Sequence, residues 1–308
     1  MEGIINIVKP PGMTSHDVIS FLRRTLRIKK IGHCGTLDPQ AAGVLPVCLG
    51  QATRLAEYLA GRDKSYYCEM LLGYETDTQD IWGRTIAEYP ERDAGHEESR
   101  EEIVKAMRSL EGEILQEIPA YSSVKHEGKS LHRYAREGRQ ITGMARKTRV
   151  ASIALVDFGK GRIRFTVECG GGTYVRMLCR DIGRYLGAGG VMSFLLRLEA
   201  GPFRLENSVT LEEILMRMRD GEDSLREIVL PKELALGNLT RYTADSREGE
   251  KLRQGQAVWL RTESQGAAYG CKAWASGADG RLIAIGEGVP GSGSQSGSLL
   301  FRPDKTFV

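Results

Sequence analysis

Residues 32–55 read GHCGTLDPQAAGVLPVCLGQATRL, and the segment falls into two parts of opposite character. From Gly32 to Gly43 it is turn-rich, with Pro39 and the glycines at 32, 35 and 43. Such residues let a chain turn sharply and let a ligand approach the backbone, so a loop is expected here. Val44 to Leu49 is a compact apolar run, as in a buried strand. Pro39 biases Asp38 toward an extended conformation and removes the next backbone donor. Asp38 is therefore expected to be a carboxylate on a rigid loop end, beside apolar Leu37. Taken alone it has two readings, a turn-former or a reacting group, and Asp-Pro is more often a turn. His33 and Cys34 lack a second pair at ligand spacing, so no metal site is expected.

Outward from this segment the chain alternates strands and helices. Ile4 to Val8 is expected to be a strand before a PPG turn; Thr14 or Ser15 then caps a helix with Val18, Phe21, Leu22 and Leu26 on one face. Lys64 to Leu72 alternates, with Tyr66, Cys68, Met70 and Leu72 on one side of a half-buried strand. Ser99-Arg-Glu-Glu102 is a capping box whose helix should end near Gly112. A short helix is expected over Ser130 to Glu137, stopped by Gly138. Val150 to Val156 and Arg162 to Glu168 should pair around Gly159–Gly161. Tyr174 to Leu186 reads as an amphipathic helix, and Thr210-Leu-Glu-Glu213 as a second capping box.

After about Leu230 the pattern changes to short strand candidates between glycine turns: Ala257–Arg261, Tyr269–Ala275, Arg281–Ile285 and Leu299–Arg302. These suggest a small β-barrel or sandwich. The segment Gly288 to Ser298 (GVPGSGSQSGS) is expected to be a flexible loop within it. The expected fold class is α+β, with a mixed, mostly antiparallel sheet flanked by helices, over residues 1–230. A small β domain follows over 231–308.

Among 308 residues, 41% are apolar and 27% charged, an ordinary globular composition that can bury a sizeable core without staples. Six cysteines, at 34, 48, 68, 169, 179 and 271, are scattered and fit reduced thiols in a cytoplasmic protein. The N-terminus lacks the basic start and long apolar run of a signal peptide, and no apolar stretch has the length of a membrane span. Net charge is only +3, but its distribution is polarised. Glu75 to Glu117 carries thirteen acidic and five basic residues, while Ala120 to Val150 carries eight basic and two acidic. Arg23, Arg24, Arg27, Lys29 and Lys30 form a further basic cluster. Such polarisation steers a polyanion toward one face, although charge runs also occur simply as solvated helix faces.

Five ordered segments between about residues 4 and 205 carry a resemblance. GHCGTLDPQAAGVLPVCLGQATRL is followed by KSYYCEMLLGYETDTQDIWG, EIPAYSSVKHEGKSLHRYAREG, CGGGTYVRMLCRDIG and VMSFLLRLEAGPF. Together they resemble the TruB family of pseudouridine synthases, with its K-x-Y strand, TDT-x-D turn and G-T-Y-[IV]-R motif. The resemblance implies that Asp38 is the essential aspartate, that Tyr66 stacks on the target uracil and that Arg176 pairs with Asp38. It further implies an RNA contact for His33 and an apolar one for Leu195. Tyr66 rather than Tyr67 fits because it lies two residues after Lys64. Two departures stand out: Ala120 follows Pro119 where a second proline is common, and Leu196-Arg197 replaces two adjacent arginines.

The implied substrate is tRNA, at uridine 55 of the T-loop in the T-arm, handled by a monomer without cofactor, metal or obligate protein partner. The basic stretch 120–149 corresponds to a thumb-like loop that closes over RNA, with Lys125, Lys129, Arg133 and Arg136, together with Lys64, as expected RNA contacts. The C-terminal segment resembles a PUA-like RNA-binding domain. The chemistry fits the residues. Pseudouridylation breaks an N-glycosidic bond, turns the base and joins C5 to the same sugar carbon, so nothing is oxidised and no water is added. One carboxylate suffices, whether it attacks the sugar, attacks the base or removes a sugar proton; glycoside hydrolysis would need two. A guanidinium fork can bind that carboxylate through two charge-assisted bonds. Extruding a stacked base costs a few kcal/mol, and base–aromatic stacking returns about 1–3 kcal/mol, which suits Tyr66. Two other classes remain open: an RNA-binding or tRNA-folding module acting without catalysis, and a guide-RNA-dependent relative.

Overall fold

The computed structural model describes residues 1–90, 99–139, 141, 143–261, 270–289 and 298–307. Strand β1 (Gly3–Lys9), helix α1 (Ser15–Leu26), β2 (Ile31–His33) and β3 (Ala42–Leu49) build one end of the large sheet. After a 3-10 turn come α2 (Ala56–Ala60), β4 (Lys64–Leu72) and a hairpin of β5 (Tyr74–Thr76) and β6 (Thr85–Glu88). Next are α3 (Arg100–Arg108), β7 (Gly112–Glu117), a two-stranded ribbon of β8 (Lys125–His126) and β9 (Lys129–Ser130), and α4 (Leu131–Arg136). Two long strands, β10 (Ala145–Gly159) and β11 (Arg162–Cys169), lead into α5 (Val175–Tyr185), β12 (Gly190–Ala200) and β13 (Phe203–Arg204). The sheet runs β1-β3-β12-β4-β11-β10-β7, with β13 beside β12 and β2 beside β3. Of its pairs only β3 with β12 is parallel, so the sheet is mixed and mostly antiparallel as expected.

Every residue of β3 is buried, because both of its faces are covered. Leu45, Val47 and Leu49 join Ile5 and Ile7 under Val18, Ile19 and Leu22 of α1. Val44 and Cys48 point the other way, into a cluster with Ala52, Leu55 and Leu59 that also takes in Trp274, Ile285 and Phe307 from the C-terminal part. A strand sandwiched in this way reads as a continuous apolar run, whereas β4, buried mainly on one face, alternates.

The C-terminal part has α6 (Leu211–Asp220), α7 (Glu222–Arg226), β14 (Thr240–Thr243), α8 (Ser246–Arg253) and then β15 (Val258–Arg261), β16 (Lys272–Ser276), β17 (Leu282–Val289) and β18 (Ser298–Thr306). Its five strands form a curled sheet in the order β14-β16-β17-β18-β15. Most of the loop expected within Gly288 to Ser298 lies outside the described residues.

Several expectations need correction. The helix after Ser99 ends at Arg108, and Gly112 opens β7 instead of stopping a helix. Strand β7 is a charged, exposed sheet edge, so it lacks apolar alternation; it pairs with the first residues of β10, which therefore begins at Ala145 and not Val150. The turn-rich segment begins with β2 before it becomes a loop. Thr14, not Ser15, caps α1 in a full capping box with Asp17, which leaves Ser15 buried and free to serve the site. Thr210 caps α6 by accepting from the Glu213 amide. Five of the six cysteines are buried and all are free; Cys34 meets Cys48 and Cys68 meets Cys179 as neighbouring thiols, with sulfurs 3.2 and 3.5 Å apart.

Candidate active site

Asp38 sits on a loop that is tied down on every side. Just before it, the Leu37 amide donates to Ser15 Oγ (3.0 Å), whose hydroxyl also lies 3.3 Å from the Leu37 carbonyl. Just after it, the Pro39 carbonyl accepts from the Gly12 amide (3.0 Å) and from Lys9 Nζ (2.9 Å). Lys9 has no solvent exposure, and its ammonium also reaches the carbonyls of Pro10 (2.8 Å) and Met13 (2.5 Å). Burial drops its pKa to about 8 despite the attraction of Asp38. At the ends of the loop, Arg197 Nε donates to the Val44 carbonyl (2.6 Å) and Nη2 to that of Gly35 (3.2 Å). The Asp38 side chain itself remains about one-third exposed.

Arg176 projects from the first turn of α5, which packs on one face of β12 and β4. Its side chain is 4% exposed and its Nε stands 3.5 Å from Asp38 Oδ2. The expected two-pronged grip on the carboxylate is absent. Arg176 Nη1 donates to the Thr78 carbonyl (3.1 Å) and Nη2 to that of Tyr121, which leaves Nε alone to face Asp38 beyond a normal hydrogen-bond length. Long contacts of this kind in a ligand-free site can tighten when a ligand binds. Asp80 is a second carboxylate near the same guanidinium. Burial raises its pKa, the Thr78 hydroxyl (2.6 Å) and Arg176 oppose the rise, and Asp38 adds to it.

Tyr66 and Cys68 on β4 face the same side as Leu195 and Arg197 on β12, through the pairs Tyr66↔Arg197 and Cys68↔Leu195. Tyr66 and Leu195 are 6% exposed and share an apolar cluster with Leu37, Ala41 and Val175. The floor of the site is thus apolar and its rim carries Asp38. Burial raises the Tyr66 pKa, which keeps its hydroxyl a neutral donor at pH 7. His33 is half-buried with Nδ1 unpartnered; burial and then Arg197 lower its pKa, so the ring is neutral at pH 7.

Asp38, Tyr66, Arg176 and Leu195 therefore converge, with His33 beside them. Lys64 does not join an RNA-facing surface. It is 7% exposed, and its ammonium donates to the carbonyls of Ala60 (2.8 Å) and Arg62 (2.7 Å), in the turn that precedes its own strand. Lys125, Arg133 and Arg136 are exposed on the ribbon and on α4. Lys129 is paired with Glu137 and lies over the Tyr134 ring, so part of the positive balance is neutralised locally. Among the described residues no cluster has the make-up of a metal site.

The sequence reading missed four contributors. Lys9 precedes the PPG turn and Asp80 sits in the TDTQD segment, both visible as chemistry-bearing residues next to turns. Arg197 was noted only as a departure. Tyr174 stacks under Arg146 (4.7 Å) and near Arg176 (5.7 Å), and its backbone is clamped by Gln116, which accepts from its amide (2.8 Å) and donates to its carbonyl (3.1 Å). No periodicity could have paired a strand residue with one 58 positions later.

The model of the TruB family pseudouridylate synthase N-terminal domain matches residues 23–175, and that of the tRNA pseudouridylate synthase B C-terminal domain matches residues 176–237. The chain belongs to the TruB family. Its class is thereby that of the pseudouridine synthases, which are isomerases. Among TruB relatives, the tRNA pseudouridine synthase B of Alkaliphilus oremlandii is 41% identical over 84% of this chain and 83% of its own. That of Heliobacterium modesticaldum is 40% identical over the whole of this chain and 96% of its own. Solved structures with the same TruB-like fold include a Cbf5-Nop10-Gar1 complex (TM-score 0.77, 27% identity, covering 99% of this chain and 85% of the other). Another is an H/ACA RNP bound to a substrate RNA containing 2'-deoxyuridine (TM-score 0.75, 26% identity, 99% and 85%). No helix among the described residues is long and apolar enough to cross a membrane.

Proposed function

We propose that this protein isomerises uridine 55 in the T-loop of tRNA to pseudouridine, with Asp38 as the reacting carboxylate. The observation that carries the reading is the strapped Asp38 loop facing Arg176 at 3.5 Å above the Tyr66–Leu195 floor, in a chain whose relatives at 40–41% identity are named for tRNA. A flipped uracil would stack on Tyr66 and pack on Leu195, close to His33. Arg176 sets a positive charge 3.5 Å from the carboxylate, where it can hold Asp38 in place for whichever of its three possible roles it takes. Lys125, Arg133, Arg136 and, once released from Glu137, Lys129 would hold phosphates, which positions RNA without reading bases. Residues 1–230 act as the catalytic domain and 231–308 as a PUA-like RNA-binding domain, in a cytoplasmic monomer that needs no cofactor.

The test uses purified protein and an unmodified tRNA transcript carrying tritium at uridine C5. Release of one tritium per tRNA, mapped to position 55, is the expected outcome. An Asp38→Asn protein should bind the transcript and release none; full activity from it would end the assignment. The guide-dependent alternative draws support from a solved neighbour that is a Cbf5-Nop10-Gar1 complex. It predicts no tritium release until such partners and a guide RNA are added.

A further inference from the structure

Arg197 is a large side chain with no solvent exposure, and among the described residues its guanidinium forms no ion pair. Taking an unpaired cation out of water is costly, and an apolar side chain of similar volume would serve stability as well or better. The position must therefore be accounted for by what the guanidinium holds. Nε and Nη2 reach the carbonyls of Val44 and Gly35, which lie on opposite sides of Asp38 along the chain. The Arg197 backbone meets the same loop, pairing in parallel with Gly43. The approach is so close that a Cβ on Gly43 would lie 2.2 Å from the Arg197 carbonyl oxygen, which is why that position, at φ 106°, is a glycine. On its other edge Arg197 is the cross-strand neighbour of Tyr66. Its Nη1 has no partner and lies 3.8 Å from where a Cβ on Gly35 would stand.

We infer that Arg197 is a positioning residue that closes both ends of the Asp38 loop onto the strand beside Tyr66 and so fixes the carboxylate over the stacked base. The inference rests on the reading of Asp38 and Tyr66 given above. The fork geometry is essential: a lysine keeps the charge but offers a single point that cannot span both carbonyls. A shift of the loop by about 1 Å is enough to cost on the order of 100-fold in rate.

The experiment compares Arg197→Lys and Arg197→Met in the full-length enzyme by single-turnover rate on the tRNA transcript, Kd for the same tRNA, and Tm. The single-turnover rate should fall about 10- to 100-fold in both, with Kd within about threefold of the parent, because only the chemical step depends on the spacing. Rates within about twofold of the parent would overturn the inference. So would a rate loss that vanishes when the assay temperature is lowered in step with Tm. Should neither variant fold, hydrogen exchange on the unaltered enzyme decides. The amides of Cys34 and Ala41, bonded to the Pro46 and Asp38 carbonyls, should exchange only with the β3 amides, and earlier local opening would overturn the inference. An inactive Asp38→Asn beside unimpaired Arg197 variants refutes this inference alone; an active Asp38→Asn refutes the reading beneath it.

Discussion

The Asp38 loop and the described residues of the segment from Ile118 to Met144 both contact Arg176, yet they are built in contrasting ways. The loop adds Leu37 and Ala41 to the neighbouring apolar cluster but has no core of its own, and its backbone is held from outside by Ser15, Lys9 and Arg197. The basic segment carries its own small core of Ile118, Leu131 and Tyr134, packed against Val124, Ile141, Met144 and Tyr174, and meets the rest of the site mainly through Tyr174 and the Tyr121 carbonyl. A reacting carboxylate needs a fixed address, and burying two cations beneath it is a cost that only placement justifies. A surface that grips a polyanion needs charge and accessibility instead, and exposed side chains supply both. Arg176 is where the two regions meet, since it contacts Asp38 with one nitrogen and the Tyr121 carbonyl with another.

The contrast can be broken most sharply at the carboxylate. Asp38→Asn should lower single-turnover tritium release by more than about 1,000-fold, with the tRNA Kd changed by less than about threefold. Arg176→Met leaves the Thr78 and Tyr121 carbonyls unpaired as well as Asp38 alone. It should cost about 100-fold in turnover and roughly 1–3 kcal/mol of stability by denaturant titration. Tyr66→Phe retains the stacking face and should bind normally, while turnover falls about tenfold; equal turnover would show the hydroxyl idle. On the other side of the contrast, Lys125→Ala with Arg133→Ala and Arg136→Ala should weaken tRNA binding about 10-fold and flatten its salt dependence, with saturated turnover nearly unchanged. A loss in turnover instead would mean that this segment shapes the site as well as gripping RNA.

The buried cations give a subtler probe. Burial lowers Lys64 from its usual value to about 8, with Arg197 as the next cause. Between pH 8 and the unfolded value near 10.5 the unfolded chain holds more protons at this site, so the penalty shrinks as pH rises. The stability of the parent relative to Lys64→Met should therefore move in the parent's favour by roughly 1–3 kcal/mol across that window, in urea titrations at each pH. A flat difference would show that the ammonium is far better solvated than its carbonyl partners suggest.

Much of this was legible in the sequence, for reasons that differ by element. Strand β3 and the alternating β4 announced themselves by apolar period, and the cap of α3 by Ser99 and Glu102. Strand β12, which carries Leu195 and Arg197 at the centre of the sheet, reads as a motif but not as a strand: two bulges against β4 disturb its alternation. The edge strand β7 was hidden by its charges. Asp38, Tyr66 and Arg176 came from the resemblance, since an Asp-Pro, a strand tyrosine and a helix arginine are each commonplace. Lys9 drew no expectation from the sequence, and Lys64 is expected there as an RNA contact. Only the fold reveals that their charges are turned inward, because a side chain's destination depends on strands far away in sequence.

The chain begins with a strand it cannot finish alone. Beyond its pairing with β3, β1 has its free edge closed by Val209 and Leu230, and the Asn6 amide bonds the carbonyl of Arg204, 198 residues onward. At synthesis rates of about 5–20 residues per second, that partner emerges roughly 10–40 s after β1. For that interval the ribosome holds a nascent chain with an open, apolar sheet edge, the state most exposed to mispairing and to chaperone capture. Lys9 can reach its carbonyl partners as soon as Pro39 has emerged, but the order of translation leaves the Asp38 loop without its Arg197 fastening until β12 follows.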